Sequence, residues 1–320
     1  MNILAGVDEA GLGPILGPLV VGGAAMQGPA GADPWAALAT LVARAKHEKG
    51  KVRVADSKKV HSGPHGLRRL EETALTLWAA WRGDVPATLA AWLHDLGADV
   101  AALQRCPWYG DLDLPLPLQA DRGFLQLHGE LLARALQRAD LAILELAVRP
   151  VDVEEWNALI AATDNKSKAH FVAYSEVLAR LLRNLPARGD GETTHLVADR
   201  CGGRMHYGGD LRRLFPERRV EVLAEQPAVS TYRLHGGGGP VAITFSEQGE
   251  ERAFPTALAS CLAKYCRELL MTALNRWFAR QVPGLSPTAG YYVDGHRWLD
   301  DVLPHLPRLS IPTERLVRVR

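Results

Sequence analysis

Residues 2–7 form an apolar, β-prone run that stops at two adjacent carboxylates, Asp8 and Glu9, and a Gly/Pro turn, Gly11-Leu12-Gly13-Pro14. A second apolar run, 19–26, follows Gly17-Pro18, so the chain is predicted to open with an antiparallel strand pair. Over 66–82 the apolar residues Leu67, Leu70, Ala74, Leu75 and Leu77 fall near one helical face, with arginines and glutamates opposite. The Ala/Leu-rich stretch that follows reads as helices around a proline-studded loop at 106–117. Beyond it the pattern predicts a strand at 141–148, two helices over 153–185, and a strand at 194–198 ending at Asp199. Residues 219–224 and 241–245 are strand-like around a flexible glycine tract at 236–239, and 255–278 reads as a long amphipathic helix. Strands alternating with helices predict an α/β fold built on a mixed sheet.

Composition narrows the class. With 47% hydrophobic and 23% charged residues over 320 positions, the chain can bury a real core, which excludes wholesale disorder. A net charge of +1 provides no global field towards polyanions, so any basic binding face has to be local. Cys106, Cys201, Cys261 and Cys266 have no Cys-x-x-Cys spacing, which argues for reduced thiols rather than a zinc site or disulfide framework. The N-terminal apolar run is too short and uncharged for a signal peptide, and no run approaches the roughly 20 apolar residues of a membrane span. A cytoplasmic protein without membrane attachment, acting as a monomer, is expected.

Carboxylates at the end of an apolar strand are costly unless paired, hydrogen-bonded or bound to metal. Neighbouring strand residues point to opposite faces, so Asp8 and Glu9 reach one site only where the strand ends, and Gly11 supplies the turn. Taken alone, the pair is a weak signal, and a solvated loop after a strand is the competing reading. Asp294-Gly295-His296 with Asp300-Asp301 forms a second acidic cluster, read as a turn and a helix start, and His206, His235 and His296 are too scattered to propose as ligands.

The order of short motifs is more specific. Gly6-Val7-Asp8-Glu9-Ala10-Gly11-Leu12-Gly13-Pro14 with Gly17-Pro18, then Asp56-Ser57-Lys58-Lys59, then Asp199, then Gly249-Glu250 before Ala259-Ser260-Cys261-Leu262-Ala263-Lys264, and finally Gly290-Tyr291 with His296, resemble the successive motifs of the ribonuclease HII family. The resemblance spans most of the chain. It implies a ribonuclease H-like mixed sheet flanked by helices, carried by residues 1–280 with insertions near 82–140 and 202–240. Residues 281–320 would complete the substrate side.

The resemblance further implies a catalytic and metal-binding set of Asp8, Glu9, Asp199 and Glu250, with Glu251 as the alternative fourth acid. Such a set suits Mg²⁺ or Mn²⁺, which favour oxygen ligands, in two-metal hydrolysis of the RNA strand of an RNA–DNA hybrid or a ribonucleotide-containing duplex. The products would carry 5′-phosphate and 3′-hydroxyl ends. Gly11, Leu12 and Gly13 would approach the ribose, Lys58, Lys59, Arg252 and Lys264 the phosphates, and Tyr291 the sugar; Lys264 and Arg267 have either phosphate or solvent to face. The chain departs from the family at Leu12, where the loop arginine is missing, at Glu250 in place of aspartate, and at Tyr292-Val293. Two other readings stay open: a non-catalytic nucleic-acid-binding relative, and a ribonuclease H-fold nuclease acting on DNA alone.

Overall fold

A computed structural model of the protein describes residues 1–46, 48–186 and 192–319. Its strands are β1 (Asn2–Ala10), β2 (Leu19–Gly28), β3 (Val42–Ala43), β4 (Val52–Arg53), β5 (Ala142–Val151), β6 (Thr194–Asp199), β7 (Arg219–Glu225), β8 (Val229–His235) and β9 (Val241–Ser246). The principal helices are α1 (Gly66–Arg82), α2 (Arg122–Arg138), α3 (Val153–Thr163), α4 (Lys166–Asn184), α5 (Gly249–Arg252), α6 (Phe254–Gln281) and α7 (Tyr292–Val302). Seven strands make one mixed sheet in the order β5-β2-β1-β6-β9-β8-β7, flanked by helices, as the alternating pattern predicts. β1 is antiparallel to β2 and parallel to β6, and β6 is parallel to β9.

The sheet separates two apolar cores. Val20, Ala24 and Met26 of β2 face one core with α6, whereas Val21 and Ala25 face the other with α4, which is the two-residue alternation of a strand covered on both sides. Glycines let the covering helices come down onto the backbone. A Cβ on Gly6 would lie 2.1 Å from the Thr256 nitrogen of α6, and one on Gly22 would lie 2.2 Å from the Ala259 oxygen. The start of α6 is thereby seated against the strands that carry Asp8 and Glu9.

Helix α6 is buried on nearly every side over Phe254–Leu274 rather than being amphipathic, because α1 and the first inserted region cover the flank facing away from the sheet. That inserted region is helical as predicted, with short helices Leu89–Asp95 and Val100–Leu103 before α2. Residues 202–240 instead hold one short helix, Gly208–Leu214, and the β7–β8 hairpin. Strand β8 escapes the sequence pattern because its buried positions are Ser230, Tyr232 and Leu234, only one of them aliphatic.

Strand β1 also runs further than its apolar stretch suggests, through Ala10. Its pairing with β2 continues to Ala10↔Val20, but its pairing with β6 stops at Val7↔Ala198. Backbone hydrogen bonding on one side therefore keeps Asp8 and Glu9 in strand geometry, while the other side is open where β6 ends. Beyond them Gly11 (φ +89°) and Gly17 (φ +75°) turn the connecting loop through left-handed conformations that favour glycine.

Candidate active site

Asp8, Glu9 and Asp199 each present a carboxylate oxygen within 4.8 Å of the other two. The end of β6 is where this becomes possible: Asp8 and Glu9 extend past the last paired residues of β1 and β6, and Asp199 is the next residue of β6. Tyr174 of α4 ties the two strand ends together, its hydroxyl donating to the Val7 carbonyl at 2.6 Å and the Asp199 carbonyl at 3.0 Å. Asp8 Oδ1 accepts from the Glu9 N–H at 2.7 Å, and Asp199 Oδ1 accepts from the Gly249 N–H at 3.0 Å. Glu9 Oε2 is buried and has no hydrogen-bond partner.

Burial first, and then repulsion between neighbouring carboxylates, raises the pKa values in this group. Asp8 is held well above the ordinary aspartate value by burial and by the charges of Glu9 and Asp199. Burial and Asp199 push Glu9 up to about 8. Asp199 is also raised, chiefly by burial, against the hydrogen bonds from Gly249 and Arg200. Carboxylates crowded in this way hold protons until a cation neutralises them.

Glu250, on α5, lies outside the three-residue cluster but shares its field: burial and Asp199 raise its pKa, and its own charge raises those of Asp8 and Glu9. Glu251 is exposed and bonded to Lys59 Nζ at 2.5 Å. Of the two candidates for fourth acid, Glu250 is the one electrostatically joined to the cluster.

The predicted binding residues divide. Lys58 is exposed and close enough for its charge to lower the pKa values of Glu9 and Asp199. Asp56 caps the short helix Ser57–Val60 by accepting from the Lys58 N–H, and the Ser57 hydroxyl meets Ser260 of α6 at 3.0 Å, which pins this motif beside the carboxylates. Gly13 is exposed, and a Cβ there would meet nothing within 4 Å, so the chain itself does not require glycine at that position. Leu12 packs partly buried against the α4-side core. Tyr291 is 50% exposed, with the Arg267 guanidinium 5.8 Å from its ring centroid.

Other predicted contacts are engaged elsewhere. Lys59 is bonded to Glu251, and Lys264 to Glu268 at 2.6 Å within its own helix. Exposed Arg252 lines a separate cavity with Trp35 and His195. Arg267 faces neither solvent nor an open groove: it is fully buried beneath the glycine loop, donating to the Leu16 and Ala289 carbonyls. Arg318 braces the same loop from the C-terminal segment, donating to the Gly17 carbonyl at 2.9 Å and the Gly11 carbonyl at 2.5 Å. Asp294 accepts from Thr288, Ala289 and Arg297 at the start of α7, as a turn and helix start require. All four cysteines are free and buried.

Sequence reasoning missed Tyr174, Arg318 and His170, whose imidazole lies against Glu9. A signal for two of them was present. His170, Tyr174, Val177 and Leu181 recur at helical spacing on the buried face of α4.

No protein-family model and no curated protein matches the chain. Similar solved structures include a PCNA:RNase HII complex from Archaeoglobus fulgidus, 17% identical over 99% of this chain and 94% of that one, with a TM-score of 0.41. Others are Bst-RNase HIII in complex with Mn²⁺ (13% identity, 99% and 66% coverage, TM-score 0.42) and the ribonuclease H2 from Pyrococcus horikoshii OT3 (13%, 98% and 92%, TM-score 0.35). These are the kind of protein whose motifs the sequence resembles. Likeness at this level fixes no activity, which has to be argued from the residues. Among the described residues, no helix is long and apolar enough to cross a membrane.

Proposed function

We propose that the protein is a metal-dependent endonuclease that hydrolyses the RNA strand of RNA–DNA hybrids, leaving 5′-phosphate and 3′-hydroxyl ends. The observation that carries this reading is the convergence of Asp8, Glu9 and Asp199 from two strands, 190 residues apart in sequence, onto one point at the ends of the adjacent central strands β1 and β6. The donor set fits Mg²⁺ or Mn²⁺: all the ligands are hard carboxylate oxygens, one of them, Glu9 Oε2, is buried without a partner, and neither cysteine nor histidine joins the cluster. Bound there, the ions would supply an activated water and charge neutralisation at the leaving 3′-oxygen.

The chain's own residues do the rest. Asp8, Glu9 and Asp199 hold the charge, with Glu250 as fourth acid from α5. Lys58 neutralises a phosphate next to the cluster. The N–H groups of Gly11, Leu12 and Gly13 read a ribose, and the open space at Gly13 admits the sugar closely. Tyr291 offers an exposed ring to the sugar, while Lys59, Lys264 and Arg252 reach phosphates from the periphery, the first two by leaving Glu251 and Glu268. Residues 1–280 thus carry the chemistry, and 281–320 support the substrate side through Gly290 and Arg318.

The test is cleavage of an end-labelled RNA–DNA hybrid with and without Mg²⁺ or Mn²⁺, in wild type and Asp8→Asn. Cleavage that needs the ion and is lost in the variant is expected. Binding of the hybrid without cleavage would make the protein a non-catalytic relative. Cutting of branched all-DNA substrates with the hybrid left intact would make it a DNA nuclease.

A further inference from the structure

The imidazole of His170 is the unexplained group nearest the cluster. It lies on α4 at 1% exposure, and neither ring nitrogen has a hydrogen-bond partner. Its Nε2 is 3.6 Å from Glu9 Oε2, the carboxylate oxygen that is itself buried and unpartnered. Two orphaned polar atoms thus face each other across a gap slightly too long for a hydrogen bond. Buried polar groups are nearly always satisfied, so a facing pair of exceptions marks a contact made in another state of the site.

The surroundings narrow what that contact is. The ring meets Tyr174 edge-on at 5.6 Å between centroids, and the Tyr174 hydroxyl is already committed to the Val7 and Asp199 carbonyls. The cations that influence the ring are Lys166, on its own helix, and Arg204, which lies over Phe171 and pairs with Asp210. Glu9 Oε2, at 3.6 Å, is the acceptor that faces Nε2. A neutral imidazole has one N–H to offer, and Nε2 is the nitrogen nearest to Glu9.

We infer that His170 is a positioning residue for the metal site: its Nε2–H donates to Glu9 Oε2 and fixes the carboxylate so that its other oxygen is presented to Asp8 and Asp199. The inference rests on the metal-site reading above. Glu9 has three rotatable side-chain bonds, and closing about half an ångström by a small torsional change brings the pair to hydrogen-bonding distance. Such a bond becomes charge-assisted, and shorter, when the carboxylate is ionised against a cation. The arrangement mirrors the hydrogen bonds that orient ligands at metal centres generally, where losing the partner lowers metal affinity about 10- to 100-fold.

Calorimetric titration of the full chain with Mn²⁺, without nucleic acid, tests this in wild type, His170→Phe, His170→Gln and Asp8→Asn. His170→Phe keeps the ring volume and removes the donor, so Mn²⁺ affinity is expected to fall about 10- to 100-fold. His170→Gln restores a donor and should recover most of that loss. Wild-type affinity in His170→Phe, alongside lost binding in Asp8→Asn, overturns the role of His170 alone. Binding unaffected by Asp8→Asn, or no binding by wild type, overturns the metal-site reading and this inference with it. Because a variant can fail to fold, the tautomer in the Mg²⁺-loaded wild type is read independently from imidazole ¹⁵N shifts. A protonated Nε2 is expected, and a protonated Nδ1 with bare Nε2 overturns the proposal.

Discussion

Two glutamates in this protein, one fully and one largely buried, have opposite surroundings. Glu71, on α1, has no exposed surface, and its oxygens accept from the N–H groups of Leu118, Gln119 and Ala120 at 2.6–2.8 Å and from the Tyr265 hydroxyl at 2.9 Å. Glu9 sits near the end of the central strand β1 beside Asp8 and Asp199, with one oxygen orphaned and an unbonded imidazole facing it. The first carboxylate is fully satisfied by the chain and fastens the inserted region to α1 and α6. The second is left incomplete, which is how a protein keeps room for a ligand. Burial alone does not identify a site; unsatisfied burial does.

The sharpest way to break this contrast is to remove one carboxylate from each place. Asp8→Asn removes a charge that a bound cation needs, and a metal contribution of several kcal/mol translates to a loss of roughly 10³-fold or more in hybrid cleavage. Its metal-free melting temperature should not fall, since a repulsive neighbour has gone; a large fall would mean that Asp8 is structural. Glu71→Ala should do the reverse. It strands three N–H groups and a hydroxyl, each stranded buried group costing about 1–3 kcal/mol. Urea denaturation should show at least about 3 kcal/mol of lost stability, and a smaller loss would remove Glu71 as the staple of the insertion.

A pH titration probes the Glu9 site without mutation. Glu9 holds its proton in the folded, metal-free protein up to about pH 8, whereas unfolded it ionises near the ordinary glutamate value. The folded state therefore binds more protons between about pH 4.5 and 8, and its stability falls as pH rises through that window. Metal-free melting temperatures should decline from pH 5 to 8. Saturating Mn²⁺, or Glu9→Gln, should flatten the decline; a metal-free protein that grows more stable over this range would contradict the crowded-carboxylate picture.

The smallest effect concerns the loop that follows Glu9. Leu12 cannot grip a phosphate as the arginine of the similar family does, and its side chain is partly committed to the core. Duplexes with four consecutive ribonucleotides should be cut faster than those with one, because ribose contacts have to replace the missing phosphate contact. Equal rates would show that the loop's backbone donors suffice.

Much of this architecture could be read along the chain. Continuous apolar runs marked β1, β2, β6 and β9 because strands covered on both faces need apolar residues at nearly every position. Strand β8 could not be found so, since serine and tyrosine occupy its buried face. Helix α6 was visible as a helix, but its burial depended on an insertion whose docking no local pattern encodes.

The sequence by itself determined that a first strand ends in two carboxylates before a glycine turn, and that Asp199 terminates another strand, since both facts are local pattern and covalent order. Only the tertiary structure decided that they meet. The parallel register Val7↔Ala198 leaves Asp8 and Glu9 just beyond the last β1–β6 pair, within reach of Asp199 at the end of β6. It also decided that Glu251 belongs to Lys59, that Arg267 lies under the loop rather than on the surface, and that a histidine on α4 faces Glu9. Those outcomes depend on which surfaces pack together, and packing joins residues whose separation along the chain carries no information about their distance in space.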